Sequence, residues 1–129
     1  MKSVCKSWTV VAVLALLPFL SGCVAVLAGA AGAGTVAWVE GRLDATLDTS
    51  FAKAEKAADR AITELQFIKI SEKKDALNAI LTARTAEDKK IEIKVNRVGD
   101  TTTQVQIRVG VFGDEGKSLA ILDKIKSNL

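Results

Sequence analysis

The sequence contains no histidine and no tyrosine, and its 129 residues include one proline and two cysteines. Without histidine the chain has no imidazole to act as an acid or base near neutral pH, and it lacks the commonest nitrogen ligand for metal ions. Cys5 lies in a segment that we expect to be removed, so we predict no disulfide with Cys23. These absences predict a protein that is not an enzyme and that holds no metal or cofactor.

Charge of one sign is also not in excess. The chain has 18 Lys and Arg against 15 Asp and Glu, a formal net charge of +3. Lys2 and Lys6 precede the first apolar run, so loss of that segment leaves 16 basic and 15 acidic residues. Nucleic-acid binding needs a clustered basic surface, and single-strand binding also uses exposed aromatic rings. The sequence shows neither pattern, and we predict no nucleic-acid partner.

The first 22 residues have the organisation of a secretory signal peptide. Lys2 and Lys6 form a short basic head, and the apolar run WTVVAVLALLPFL follows over residues 8–20. These 13 residues are too few for a membrane-spanning helix, which needs about 20. A basic head followed by a short apolar core is typical of a cleaved leader. We therefore predict a signal peptide over residues 1–22.

The end of this leader matches the bacterial lipobox, Leu-(Ala/Ser)-(Gly/Ala)-Cys, at Leu20, Ser21, Gly22 and Cys23. Small residues before the cysteine let extended backbone enter the cleft of the signal peptidase. The Cys23 thiol is the nucleophile to which a diacylglyceryl group is attached before cleavage, and this chemistry requires cysteine. The sequence therefore predicts that Cys23 is lipidated and that a lipid anchor holds the protein to a membrane.

The segment after the cysteine, residues 24–39, carries no charge and includes Gly29, Gly32 and Gly34. Each glycine costs about 1 kcal/mol of helix propensity relative to alanine, which disfavours a membrane-spanning helix. A glycine-zipper span that packs against a second copy is the alternative. We interpret residues 23–34 as a lipidated, flexible tether that leads to one folded domain over residues 35–129.

Val24 directly follows the lipidated cysteine, and no acidic residue precedes Glu40. In the enterobacterial type of sorting, an Asp at this position retains a lipoprotein in the inner membrane, whereas other residues permit export. We therefore predict attachment to the outer membrane, facing the periplasm. Trp38 follows the tether and has two interpretations. Its indole either seals the end of the sheet or lies at the level of the lipid headgroups.

Residues 35–129 show the patterns of an α+β domain. Alternation of apolar and polar residues predicts a strand over 36–47, in which Gly41 forms a bulge and Trp38 faces away from Leu43. Four more strands follow between Phe67 and Gly113. Alternation in the last two predicts one-sided apolar rows, Ile91, Ile93 and Val95 in the first and Val105, Ile107, Val109 and Val111 in the second. Two amphipathic helices are predicted, with apolar faces of Phe51, Ala54, Ala58, Ile62 and Leu65 in the first and Leu119, Leu122, Ile125 and Leu129 in the second. The order β-α-β-β-β-β-α predicts a two-layer fold with an antiparallel sheet of about five strands.

Two stretches resemble a known family: LSGCVAVLAGAAGAGTVAWVEGRL over residues 20–43, and RVGVFGDEGKSLAILDKI over residues 108–125. With these residues the sequence is similar to the small bacterial lipoproteins grouped as domain of unknown function 3568, over nearly the whole chain. The resemblance implies the predicted architecture and a location in the envelope of Gram-negative bacteria. It implies no activity.

Few residue groups suggest chemistry. The glycine-rich AGAAGAG over residues 28–34 lacks the Lys-Ser/Thr ending of a phosphate loop and precedes a strand rather than a helix. We place the acids of Glu87–Asp88 in an exposed turn. Asp114–Glu115 stands at a helix start, where acids cap free N–H groups; a calcium ligand or a partner contact is the alternative. We interpret Lys117–Ser118 as a coincidence in a lysine-rich helix.

Two functional hypotheses remain from the sequence. The first is a lipid-anchored, non-enzymatic binding or structural module that acts on an envelope protein partner. The second is a carrier that holds a small apolar ligand between the sheet and a helix. The carrier hypothesis rests on the small side chains of the first helix at Ala54, Ala57, Ala58 and Ala61, which would leave room for a ligand.

Overall fold

The computed structural model describes residues 33–129, in which six strands and two helices follow one another. The strands are β1 (Ala33–Val39), β2 (Arg42–Leu47), β3 (Ile68–Lys74), β4 (Asn78–Arg84), β5 (Lys90–Arg97) and β6 (Thr103–Val109). The helices are α1 (Phe51–Glu64) and α2 (Glu115–Ser127). All neighbouring strands pair antiparallel, in the spatial order β1-β2-β6-β5-β4-β3. The predicted α+β class, with an antiparallel sheet and two helices, is confirmed.

The segment predicted as one strand over 36–47 is a hairpin. Glu40 and Gly41 form a two-residue turn with φ of 48° and 78°, and β1 reverses there into β2. Two consecutive positive φ angles suit the twist of a tight hairpin, and glycine adopts such an angle without strain. The single-strand prediction was wrong because the uncharged residues before Glu40 lack the alternation that would mark a separate strand. Trp38 pairs with Leu43 and shares its face, also contrary to the prediction.

One face of the sheet forms the core, and its residues alternate with outward-facing ones. The buried apolar side chains of the sheet are Leu43, Ala45, Leu47, Ala79, Leu81, Ala83, Ile91, Ile93, Val95, Val105, Ile107 and Val109. This alternation confirms the predicted inward rows of β5 and β6. The prediction that Val111 continues the β6 row was wrong, because β6 ends at Val109 and Gly110, with φ of 74°, turns the chain out of the sheet.

Helix α1 packs on the sheet through small side chains. The alanines at positions 54, 57, 58 and 61 are at most 1% exposed, so the helix backbone lies close to the strands. The predicted apolar face is confirmed, since Ile62 is buried and Phe51 and Leu65 pack against the core. The space that the carrier hypothesis placed beside these alanines is filled by the sheet.

Helix α2 covers the β2–β6 side of the sheet and meets α1. Its buried residues are Ser118, Ile121, Leu122 and Ile125, which have the i, i+3, i+4, i+7 spacing of one helical face. Leu122 and Ile125 were predicted correctly. Leu119 and Leu129 were predicted as buried but are exposed, because they lie outside this face.

The two edge strands of the sheet differ in charge. β3 is exposed along its whole length, and its bulge lies between Lys69 and Ser71. Two of its lysines bind acids of α1: Lys74 Nζ lies 2.8 Å from Glu55 Oε2, and Lys69 Nζ lies 2.5 Å from Asp59 Oδ1. Hydrogen bonds to Asp59 and then Glu72 raise the pKa of Lys69. Charge and a bulge protect β3 from pairing with other chains, whereas β1 carries no charged residue.

Candidate functional site at a corner of the sheet

Four predicted site residues lie outside the described part of the chain. They are Leu20, Ser21, Gly22 and Cys23, the lipobox and its lipidated cysteine. The signal peptide over 1–22 and the tether up to residue 32 lie outside it as well. Both remain predictions from the sequence. The last seven residues of the alternative glycine-zipper span, Ala33–Val39, form β1 rather than a helix.

Trp38 lies near the C-terminal end of β1, far from Ala33, at which the strand begins. Five residue steps separate it from Ala33, which at about 3.3 Å each is a distance of about 17 Å. Its side chain points to the same sheet face as Leu43 and is 37% exposed. Trp38 thus lies on the helix-covered side of the sheet while keeping an exposed surface, and both interpretations of its role remain compatible with this position.

Trp38 and Val39 lie beside the β1–β2 turn, and Val111 and Phe112 lie in the loop whose backbone contacts that turn; we call these four exposed apolar residues the apolar corner. Val39 is 39% exposed, Val111 is 78% exposed and Phe112 is 92% exposed. The first two residues of the cluster precede the β1–β2 turn, and the other two lie in the loop from β6 to α2. Large apolar side chains that are exposed near one corner of a domain are typical of a binding surface.

Two glycines hold the apolar corner together by backbone contact. A Cβ placed on Gly41 would lie 2.5 Å from the Phe112 carbonyl oxygen, and one placed on Gly113 would overlap the Gly41 carbonyl group. Both glycines also have positive φ, 78° and 84°, which side chains other than glycine rarely adopt. The loop that carries Val111 and Phe112 is therefore fixed against the hairpin at its base.

The sheet face opposite the helices, which we call the open face, carries mainly polar side chains. Its charged residues are Arg42, Lys73, Arg84, Lys90, Lys94, Arg108, Asp44 and Glu92. Six of these are basic and two are acidic, an excess of four positive charges. The remaining side chains of residues 33–129 include ten basic and 13 acidic groups. A nearly neutral domain therefore has one basic face.

Glu92 lies in the middle of this open face between two lysines. Its carboxyl oxygens are 3.5 Å from Lys90 Nζ and 3.3 Å from Lys94 Nζ. Partial burial opposes ionisation, but the hydrogen bond and charge of Lys94, with those of Lys90, outweigh it and lower the pKa of Glu92. The carboxylate is thus ionised at neutral pH and neutralises part of the lysine charge.

The acid pairs singled out in the sequence are structural. Asp114 is the N-cap of α2, and its Oδ1 accepts a hydrogen bond from the Lys117 backbone N–H at 3.0 Å, which confirms the predicted capping role. Glu87 and Asp88 lie in the exposed β4–β5 turn, as expected. Hydrogen bonds from Thr85, from its own backbone N–H and from Lys117 lower the pKa of Glu87. Within residues 33–129, no three His, Cys, Asp or Glu side chains group as a metal site would require.

Lys117 and Ser118 point in different directions. Lys117 Nζ lies 3.3 Å from Glu87 Oε2 across the surface. The Ser118 hydroxyl is buried and has no hydrogen-bond partner in the described part of the chain. The two groups therefore do not meet as a nucleophile and its base.

Neither α1 nor α2 has the length and apolar character that crossing a bilayer requires, and the described range offers no other helix that does.

Comparison with known families gives one result that covers almost the whole chain. The family described as Protein of unknown function (DUF3568) matches residues 7–128. The chain belongs to this family. The match includes all six strands and both helices of this family member, and it confirms the resemblance found in the sequence. No curated protein matches the chain.

The sequence prediction missed Val111 and Phe112 as surface residues, because it assigned them to β6. A local signal was present: Gly110 and Gly113 flank the pair, and glycines on both sides of a short apolar segment indicate a turn rather than a strand interior. The contact between this loop and the β1–β2 turn could not be predicted from a local pattern, because it joins segments about 70 residues apart in the chain.

Proposed function

We propose that this chain is a lipid-anchored protein of the cell envelope whose folded domain is a non-enzymatic binding or structural module. The observation that carries the proposal is the lipobox cysteine Cys23, which follows a signal-peptide pattern and precedes β1 by ten residues. The folded domain begins almost directly after the proposed anchor. It leaves one sheet face and the apolar corner exposed.

The route to the membrane is the lipid. Each buried methylene of an acyl chain contributes about 0.8 kcal/mol, and two chains suffice for stable anchoring. A diacylglyceryl group on Cys23 would therefore hold the domain without a protein span. Ten residues of extended chain reach at most about 33–36 Å, so the domain stays close to the leaflet that carries the lipid.

Metabolic labelling with a palmitate analogue tests the anchor. The wild-type chain should be labelled and processed, and Cys23→Ser should be unlabelled and accumulate as an unprocessed precursor. Cys5→Ser is the matched control: Cys5 is lost with the leader, so that variant should be labelled like the wild type. A labelled Cys23→Ser protein would refute the proposal.

The second candidate function, a carrier of a small apolar ligand, is supported by one groove. It has a volume of about 310 Å³ and lies between the end of α1, the β4–β5 turn and α2. Its apolar lining residues are Leu65, Phe67, Ala86, Ala120 and Ile121. This volume is at the lower limit of small-molecule pockets.

A fluorescent fatty acid tests this second function. If the groove binds it, Ala120→Phe should fill part of the space and weaken binding at least about tenfold. Ala52→Phe is the control, because Ala52 is an exposed position at the start of α1. Equal binding by the two variants would exclude the groove as the ligand site.

A further inference from the structure

The apolar corner and the basic part of the open face adjoin each other. Arg108 Nη2 donates a hydrogen bond to the Val111 carbonyl oxygen at 2.7 Å, and the Gly110 N–H donates to the Lys90 carbonyl oxygen at 2.7 Å. A shallow cavity of about 300 Å³ is lined by Lys90, Glu92, Arg108, Gly110 and Val111. The exposed apolar loop and the cations of the sheet therefore form one surface.

The positive charges of the open face are concentrated toward this corner. Strand pairing places Glu92 beside Arg108, and Lys90 beside Arg84, in the part of the sheet near the β1–β2 turn. At the other end of the strands, the paired outward residues are uncharged. They are Thr46, Gln104, Asn96 and Asn78. Four of the six cations of the open face therefore lie at the end of the sheet that carries Val111 and Phe112, and the other two, Lys73 and Lys94, lie in its middle.

The acids near this corner neutralise only part of the charge. Asp44 Oδ1 lies 3.0 Å from Arg42 Nε, Asp88 Oδ1 lies 2.5 Å from Arg84 Nη1, and Glu92 is shared between two lysines. The hydrogen bond from Arg108 to the Val111 carbonyl oxygen uses a neutral acceptor, which leaves the charge of that guanidinium uncompensated. A ligand with several negative charges would complete the surface.

We propose that this surface binds an anionic phospholipid membrane. Val111 and Phe112 enter the boundary between headgroups and acyl chains, and Arg42, Lys90 and Arg108 contact lipid phosphates. Apolar side chains at the level of the acyl boundary combined with cations at the level of anionic headgroups are the two contributions that hold proteins on membrane surfaces.

The exposure of the loop favours a lipid over a protein partner. Val111 and Phe112 are adjacent in the sequence and are 78% and 92% exposed. Acyl chains accept such side chains without a complementary pocket, whereas the core of a protein interface needs close packing on both sides. The backbone contact between Gly41 and Gly113 keeps the loop ordered before binding, which lowers the entropic cost of contact.

The length of chain ahead of β1 permits this contact. Cys23 precedes Ala33 by ten residues, at most about 33–36 Å when extended. The six steps of β1 cover about 20 Å, so an anchor on Cys23 and the apolar corner can reach the same leaflet. This step rests on the proposed lipid anchor; the affinity of the surface for anionic lipid does not.

Tryptophan quenching in the full chain tests the proposal. Trp8 and Trp38 are replaced by Phe, a single tryptophan is introduced by Phe112→Trp, and the protein is reconstituted in phosphatidylcholine vesicles with brominated acyl chains, with or without phosphatidylglycerol. Quenching should be about twofold stronger in the anionic vesicles. Val98→Trp is the matched control: Val98 is 64% exposed in the β5–β6 turn at the other end of the strands, and its quenching should stay low in both.

The charge requirement is tested in the same background by Lys90→Gln with Arg108→Gln. Both side chains are on the surface, and an unchanged thermal unfolding curve will establish that the fold is intact. The double variant should lose the difference between anionic and neutral vesicles. Equal quenching at positions 112 and 98, or quenching at 112 that ignores phosphatidylglycerol, would overturn the proposal, since insertion of the leader or lipid alone would then explain the contact.

A photo-crosslinking residue, p-benzoylphenylalanine, in place of Phe112 distinguishes a membrane from a protein partner in cells. Lipid adducts on the full chain support the proposal, and a protein adduct at this position refutes it. The outcome is separable from that of the anchor. Absence of palmitate label on Cys23 with preserved, charge-dependent quenching at position 112 would reject the anchor and keep the membrane-binding surface.

Discussion

Two buried hydroxyl groups in the domain differ in their partners. The Thr103 hydroxyl donates a hydrogen bond to the Thr49 carbonyl oxygen at 2.8 Å, which ties the start of β6 to the link between β2 and α1. The Ser118 hydroxyl is equally buried but finds no partner within residues 33–129. A buried polar group without a hydrogen bond has lost its hydrogen bonds to water without replacing them, and this desolvation cost lowers the stability of the fold.

Ser118→Ala should therefore raise the free energy of unfolding by about 1 kcal/mol, through removal of the unpaired hydroxyl and a gain in helix propensity. Thr103→Val, which removes a bonded hydroxyl of similar burial, should lower it by about 1 kcal/mol. Chemical denaturation of both variants measures the pair. A destabilised Ser118→Ala protein would show that the hydroxyl has a partner.

At the same scale, Asp75 should make the stability of the domain depend on pH. Its Oδ1 accepts hydrogen bonds from the backbone N–H groups of Leu77 and Asn78, both at 2.8 Å, and these bonds lower its pKa below the ordinary 3.8. A carboxyl group whose pKa is lower in the folded state than in the unfolded state stabilises the fold at pH values above its unfolded-state pKa. This contribution is lost as the pH falls through its folded-state pKa.

Asp75→Asn keeps an acceptor oxygen but removes the charge. Its melting temperature should be slightly below that of the wild type at about pH 7, and the difference should shrink as the pH falls below the ordinary carboxyl value of 3.8 and through the lowered pKa of folded Asp75. Thermal melts across this range measure the effect. A difference that stays constant with pH would contradict the role given to the ionised carboxylate.

At the scale of elements, the β1–β2 turn docks against the loop before α2 through backbone contact between Gly41 and Gly113. Gly113 and Gly110 both have positive φ, at 84° and 74°, but only Gly113 is packed against backbone. A Cβ on Gly110 would meet nothing within 4 Å. Substitutions at the two positions therefore distinguish the cost of backbone strain alone from the cost of strain together with steric overlap.

Gly113→Ala should destabilise the domain by about 2–4 kcal/mol, because left-handed strain and overlap with the Gly41 carbonyl add together. Gly110→Ala should cost only the strain, about 1–2 kcal/mol. Urea unfolding of the two variants measures the difference. Equal losses would mean that the loop moves away from the hairpin without cost.

The elements that the sequence predicted well are those with a local pattern. Alternation in β5 and β6 and the apolar face of α1 report burial directly, since the side-chain periods of strands and helices are fixed by backbone geometry. The β1–β2 hairpin was missed because Glu40 and Gly41 resemble a bulge within one strand. The apolar corner was missed because it exists only when two turns meet in space.

The basic open face also could not be predicted from the sequence. Lysines and arginines alternate with acids along the chain, so net charge and local charge runs are unremarkable. Their segregation arises from strand register: Lys69 and Lys74 turn toward acids of α1, whereas Lys90 and Lys94 point to the opposite side. Register is a tertiary property, and a slip of one residue would exchange the two sets.

At the scale of the whole molecule, the proposed location depends on Val24, the residue after the cysteine that we propose is lipidated. Val24→Asp should shift the protein from the dense outer-membrane fraction toward the inner-membrane fraction, because it would create a retention signal of the enterobacterial type. Sucrose-gradient fractionation of membranes measures the shift, with Val26→Asp as a control for charge alone. Wild-type protein found wholly in the inner membrane would refute the sorting prediction.

The open face carries an excess of four positive charges, whereas the side chains of α1 carry no net charge and the surplus acids of the domain lie in its turns. The domain is therefore an electric dipole with its positive end at the open face. In a negatively charged boundary layer the dipole experiences a torque as well as an attraction. The Debye length is about 8 Å at physiological ionic strength, so this torque acts only near the surface. A tethered domain that drifts into that layer is therefore turned with its helices outward before any side chain makes contact.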